Sequence, residues 1–239
     1  MSIHTDVPQS LLNRLKQVST ATVLTGLWRM GYERTFMEGV RLLIPGRRLA
    51  ARARTLRFLP TRPDLREEVT KGPDSPVYRA MELCGPGDAL VIDAMRMPYA
   101  CIGGDVRFLQ LKMQGADGIV SDGGIRDIGT IAGYGLVVYG AELTPKVGAM
   151  DFLFYDWNLS VQCGGVLVKP GDVVVGDEAG VVVVPAPLVE KIVVYAEETE
   201  QAEEFVKRLI QKEKCNPGKY YPLNDEAWRL FRESRKKVK

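Results

Sequence analysis

Histidine is almost absent from this chain: its 239 residues include one, His4, close to the N-terminus. That scarcity excludes Ser-His-Asp and Cys-His catalytic arrangements and histidine-bound metal centres as the source of an activity. Cysteine is scarce too. Cys84, Cys101, Cys163 and Cys215 are far apart and form no C-x-x-C, which argues against zinc ribbons and disulfide frameworks and for reduced thiols. No apolar run approaches the roughly 18 residues that would span a bilayer. His4, Asp6 and Pro8 stand where a signal peptide would need its apolar core, so a cytoplasmic protein is expected. Excess charge is also missing: 32 Lys and Arg against 30 Asp and Glu leave a net charge of +2, too little to argue for nucleic acid or an anionic membrane as partner. Chemistry must then come from carboxylates, Arg, Lys, Tyr and a metal.

What the chain does have is 46% hydrophobic residues, enough to bury a full core. Residues 8 to 31 read as helical, with Ser19 as a cap and Gly31 as a stop. Val40 to Ile44, Arg54 to Leu59 and Ala89 to Asp93 read as strands, and the proline-rich, charged stretch from Pro60 to Pro76 reads as a long surface loop, a candidate lid. Pro86-Gly87-Asp88 and Pro170-Gly171-Asp172 echo one another as turns feeding strands, with Pro45-Gly46-Arg47 as a weaker copy. Gly180 to Val184 suits a strand buried on both faces. From Pro187 to about Lys214 one long helix is expected. Its acids Glu197, Glu198, Glu200, Glu203 and Glu204 read mainly as a solvated face. Trp228, Leu230 and Phe231 mark Pro222 to Lys239 as a candidate docking helix.

Two glycine-flanked helix starts carry the chemistry. Ile102-Gly103-Gly104-Asp105-Val106 opens a helical pattern that ends at Gly115. After a short apolar strand, Val120-Ser121-Asp122-Gly123-Gly124-Ile125-Arg126-Asp127 opens a second. Gly123 and Gly124 free the backbone for positive φ or for close approach of a ligand, and a helix start favours anions through its unpaired N–H groups. Arg126 offers a planar fork to a carboxylate or phosphate, and Asp127 offers hard oxygen to a cation such as Mg²⁺. The bland alternative is a Gly-rich turn whose Arg and Asp pair with each other or cap the helix. In an α/β unit both starts can share one sheet edge, where Asp105 would face Asp127.

The stretch from Gly103 to Asp127 resembles the RraA-like family, which includes the class II 4-hydroxy-4-methyl-2-oxoglutarate aldolases. Ser19-Thr20-Ala21-Thr22, Arg54-Thr55-Leu56-Arg57-Phe58, Gln162-Cys163-Gly164-Gly165 and the run from Pro170 to Asp177 extend the resemblance over about residues 19 to 222. The resemblance implies an α/β fold, a compact layered α/β/β/α sandwich over residues 1-186, with a C-terminal helical extension over 187-239 that packs on the same or a neighbouring subunit. It implies a homotrimer or hexamer with sites between subunits. It also implies a divalent-metal-dependent lyase that cleaves 4-hydroxy-2-oxo acids to pyruvate and a carbonyl fragment, with oxaloacetate decarboxylation through the same enolate.

In that scheme Asp127 holds Mg²⁺ or Mn²⁺, Arg126 neutralises the enolate oxygen, and Asp105 moves the proton of the reacting hydroxyl, directly or through a water. Gly104, with the N–H groups of Val106 and Arg107, receives the substrate carboxylate. Glu203, Glu204 and Glu213 are candidates for a glutamate that the aldolases insert from a neighbouring subunit. Three departures bear on the substrate. Arg107 stands where aldolases carry a small or apolar residue, Thr25-Gly26 replaces a common aspartate, and the Pro60 to Pro76 loop is long. The second reading of the same resemblance is a non-catalytic regulator that binds an RNA-degrading enzyme.

Overall fold

The structure is a computed structural model that describes residues 7–236, so His4 lies outside it. Instead of one N-terminal helix there are two, Gln9–Leu15 (α1) and Thr20–Arg29 (α2). The break falls at Ser19, whose hydroxyl accepts the Ala21 N–H at 3.1 Å and starts α2 afresh. Strands Arg41–Leu42 (β1) and Leu49–Pro60 (β2) follow. The Pro60 to Pro76 stretch is not structureless: it contains the helix Pro63–Glu68 (α3), with proline in its first turn. Next come Pro76–Glu82 (α4), Asp88–Asp93 (β3), Asp105–Gln114 (α5), Gly118–Ser121 (β4), Gly124–Ile125 (β5) and Ile128–Ile131 (α6). Val137–Gly140 (β6), Glu142–Leu143 (β7), Phe152–Trp157 (β8), Val161–Cys163 (β9) and Val166–Val168 (β10) lead to the hairpin Val173–Asp177 (β11) and Gly180–Val184 (β12). Val189–Glu213 (α7) and Asp225–Lys236 (α8) end the described chain.

The main sheet runs β1-β6-β4-β3-β2-β11-β12, with β8 paired to the far half of β2. Strands β2, β3, β4 and β6 are parallel, whereas β11 and β12 add antiparallel. Strand alternation sorts the side chains into layers. Ala89, Val91, Val120, Tyr139, Val174, Val181 and Val183 face inward and meet in one core between the two halves of the curled sheet. On the outside, Leu90, Ile92, Ile119 and Val138 pack with Met81, Phe108 and Leu111 of α4 and α5. Val173, Val175, Val182 and Val184 pack under α1, α2 and α7. The result is helix, sheet, sheet, helix, the layered α/β sandwich that the family resemblance implies.

Several local expectations hold for the stated physical reasons. Gly87 and Gly171 take φ of +80° and +86°, and Gly46 shares that conformation at +86°. In the first two turns the following aspartate locks the loop from inside. Asp88 Oδ2 accepts Gly85 N–H at 3.1 Å, and Asp172 Oδ2 accepts Lys169 N–H at 2.8 Å. Strand β12 is buried along its whole length, as a valine run between two layers must be. Helix α7 begins under the sheet, where Ile192, Val193 and Ala196 are buried, and its C-terminal half extends to meet α8. There the Phe205 and Phe231 rings lie 5.9 Å apart, so α8 docks on α7 of its own chain. Among the described residues no helix is long and apolar enough to cross a membrane.

Candidate active site

The two helix starts named by the sequence are stitched together through their main chains. Gly124 N–H donates to Ala100 O at 3.0 Å and Ile102 N–H to Gly124 O at 2.9 Å, so the segment before α5 and the turn before α6 run side by side. Gly124 makes this approach possible, because a Cβ there would overlap the Thr144 methyl and the Pro98 carbonyl. Neither Gly123 nor Gly124 has positive φ, and what approaches them is protein. The left-handed residue of the turn is Asp127, with φ of 58°. It precedes α6, and its carbonyl accepts the N–H groups of Thr130 and Ile131.

Helix α5 opens at Asp105, so its first N–H groups precede the first helical bond, from Phe108 N–H to Gly104 O at 3.1 Å. Asp105 Oδ1 accepts Val106 N–H at 2.7 Å, and that donor must be released before it can bind a substrate carboxylate. Arg126 and Asp127 meet Gly104: a Cβ on Gly104 would overlap Asp127 Oδ2 and stand 2.9 Å from Arg126 Nε. Arg126 Nε itself lies 3.2 Å from Asp127 Oδ2, with both side chains close to half exposed.

A cleft of about 290 Å³ holds Gly104, Asp105, Val106, Arg107 and Arg126 together, against a wall of Phe152 and Phe154. Asp127 lines an adjoining hollow on the other side of Arg126, with Ile125 and Thr144. Asp105 lines the first space and Asp127 the second, and Arg126 borders both. The Arg107 guanidinium stacks 4.6 Å above the Phe154 ring and donates to Ile102 O at 2.9 Å, while its buried Nε has no acceptor. It forms part of the cleft wall.

Asp122, which sequence spacing places with the charges on the turn, points into the protein instead. It accepts Ala94 N–H at 2.7 Å, Gly164 N–H at 3.2 Å and Gln162 Nε2 at 2.8 Å, and Gln162 also donates to Asp93. Burial pushes its carboxyl above the usual carboxylate range, and the hydrogen bonds from Gln162, Ala94 and Gly164 offset only part of that. The Gln162 to Gly165 motif thus buttresses the site turn from below. Cys101, at the back of the cleft, donates to Gly103 O, and burial raises its thiol above the ordinary value. It is a poor nucleophile in that state. Glu213 is occupied by Lys219 and Tyr220, at 2.8 and 2.9 Å.

Sequence reasoning missed the aromatic wall. The aromatic-rich run Phe152-Leu153-Phe154-Tyr155 is a strand signal, and pairing of β8 with β2 carries it to the cleft.

A metal site must be tested on these residues. Among the described residues no group of three His, Cys, Asp or Glu is placed to hold a metal ion. Asp127 nevertheless presents a half-exposed carboxylate over the missing side chain of Gly104, beside an open hollow. That donor set fits a hard cation held by one carboxylate and water, the regime of Mg²⁺.

The fold is a layered α/β sandwich in which a helix start and the Arg126-Asp127 turn meet at Gly104. The chain belongs to the RraA-like family: the family model described as Aldolase/RraA matches residues 20–183. A relative from Halalkalibacterium halodurans, provisionally named 4-hydroxy-4-methyl-2-oxoglutarate aldolase, is 33% identical over 147 residues, 60% of this chain and 68% of that protein. The crystal structure of Streptomyces coelicolor RraAS2, described as an unusual member of the RNase ES inhibitor RraA family, is 33% identical. It aligns with a TM-score of 0.77 over 85% of this chain and 99% of its own. An uncharacterized protein from Pseudomonas syringae shares the fold, at 21% identity and a TM-score of 0.75 over 90% of this chain and 98% of that one.

Proposed function

We propose that this chain is a divalent-metal-dependent lyase that cleaves 4-hydroxy-2-oxo acids to pyruvate and a carbonyl fragment. The observation that carries this reading is the stitching of the α5 start to the Arg126-Asp127 turn, which gathers helix-start N–H groups, a guanidinium and the half-exposed Asp127 carboxylate paired with it around Gly104. The provisional aldolase names of relatives support it.

The substrate carboxylate sits at the α5 start, held by N–H groups and the positive end of the helix. Asp127 would hold Mg²⁺ or Mn²⁺, which when bound would supply Lewis-acid polarisation of the 2-oxo group. Arg126, bordering both spaces, aims its fork at the oxygen on which enolate charge develops, so its effect is felt most in the transition state. Asp105 accepts the proton of the C4 hydroxyl as the C3–C4 bond breaks. Loss of CO₂ from oxaloacetate would use the same enolate and the same Arg126.

Chelation provides the direct test. With one carboxylate ligand the cation is held weakly, so EDTA should remove lyase activity and added Mg²⁺ or Mn²⁺ should restore it. Full turnover by an extensively chelated sample would defeat the proposal. The likeness to RraAS2 favours a second reading, a regulator that binds an RNA-degrading enzyme. Tight binding to such an enzyme with no cleavage of any 4-hydroxy-2-oxo acid would select it.

We also propose a trimer or dimer of trimers with sites at the subunit boundaries. Val106, Leu109 and Met113 form an unpartnered apolar stripe on α5 beside the cleft, Val106 at 82% and Met113 at 79% exposure. Light scattering at micromolar concentration should give three or six copies, and a stable monomer would contradict it.

A further inference from the structure

The cleft does not end at its aromatic wall. Tyr78, Ala149, Phe152 and Phe154 line both the candidate site and a second compartment of about 530 Å³. That compartment lies beneath the Pro60 to Pro76 segment, which adds Val69 and Lys71 to its lining. The segment is tied in place: Thr61 N–H donates to Asp151 O at 3.2 Å and Arg66 Nη2 to Ala149 O at 3.3 Å. The Pro60 to Pro76 segment therefore lines a pocket that shares four lining residues with the site. Tyr78, Phe152 and Phe154 supply rings to its lining beside Val69 and Leu153, with Arg66, Lys71 and Ser75 also on it, and the Arg107 guanidinium carbon lies 4.6 Å from the Phe154 ring centroid.

A carboxylate and 2-oxo group held at the α5 start and Arg126 would direct the remainder of the substrate along this wall. We infer that the carbonyl fragment released by this chain is bulky and apolar, an aryl or similar ring-bearing aldehyde, seated against Phe152, Phe154 and Tyr78. The inference rests on the lyase reading above. For such a substrate the C3–C4 bond breaks with its electron pair left on C3. The C4 hydroxyl gives its proton to the base, the aryl aldehyde departs, and C3 regains a proton to give pyruvate.

Binding separates this inference from turnover. 2-Oxobutanoate and 2-oxo-4-phenylbutanoate share the pyruvyl head, lack the C4 hydroxyl and cannot be cleaved. Calorimetry on the full chain with Mg²⁺ should show the phenyl compound binding at least about tenfold more tightly, since burial of a ring removes well over 100 Å² of apolar surface from water. In Val69→Trp, which fills the second compartment, that ratio should fall towards one, with a thermal melt checking the fold. Equal affinities in the wild type, or an undiminished ratio in a folded Val69→Trp, would overturn the inference and leave the lyase reading standing. Failure of both compounds to bind would remove the pyruvyl site itself, and the inference with it.

Discussion

Asp127→Asn is expected to lower lyase kcat/KM by about 10³ or more with little change in melting temperature. The substitution is chosen for its backbone: asparagine tolerates the left-handed conformation that Asp127 adopts at φ 58°, where alanine would add strain. Asparagine also serves as well as aspartate ahead of a helix. The pair with Arg126 is close to half exposed, so its loss costs under about 1 kcal/mol. What the variant loses is the negative oxygen that a hard cation needs, and about 4 kcal/mol of transition-state stabilisation corresponds to that thousandfold. Added Mg²⁺ or Mn²⁺ should fail to rescue it. If Asp127 only shapes the turn, Asp127→Asn will turn over at the wild-type rate, and the metal reading fails with it.

The contrast between Asp122 and Asp127 shows what a sequence can and cannot disclose about this site. Both belong to one motif, and spacing alone treats them alike. Their fates differ because Asp122 directly follows the buried strand β4 and turns towards Ala94, Gly164 and Gln162, whereas Asp127 comes after two glycines in a left-handed turn at the surface. The partners of Asp122 lie 28 to 42 residues away, and no local pattern reports them. The same holds for the cleft wall. Phe154 reaches Arg107 only because β8 pairs with the far half of β2.

Local chemistry was legible where it decides the structure by itself. The Pro-Gly-Asp turns, the valine strand β12 and the start and length of α7 follow from proline geometry, glycine's φ and hydrophobic period. Strand β2 was legible only in part. Its first half, Leu49 to Ala53, is rich in alanine and arginine and has little strand propensity of its own. Pairing on both sides, with β11 and β3, makes it a strand. The expected docking of the C-terminal helix was visible as an apolar stripe, but a stripe names no partner, and Phe205 on α7 supplies one within the chain.

Arg126→Lys should separate a transition-state role from a structural pair. Arg126 Nε faces Asp127 Oδ2 at 3.2 Å across a half-exposed turn, an arrangement worth under about 1 kcal/mol, and lysine can keep most of it. Stability therefore moves little on either reading. Catalysis does not. A planar fork bordering both the α5 cleft and the Asp127 hollow can meet the enolate oxygen and a second acceptor together, while an ammonium on a flexible stem offers a point charge with no fixed direction. The expected result is a fall in kcat of roughly 10², with KM changed far less because ground-state binding rests on the α5 start and the cation. Steady-state kinetics and a thermal melt on the same preparation decide the matter, and a Lys variant with wild-type kcat would reduce Arg126 to a partner of Asp127.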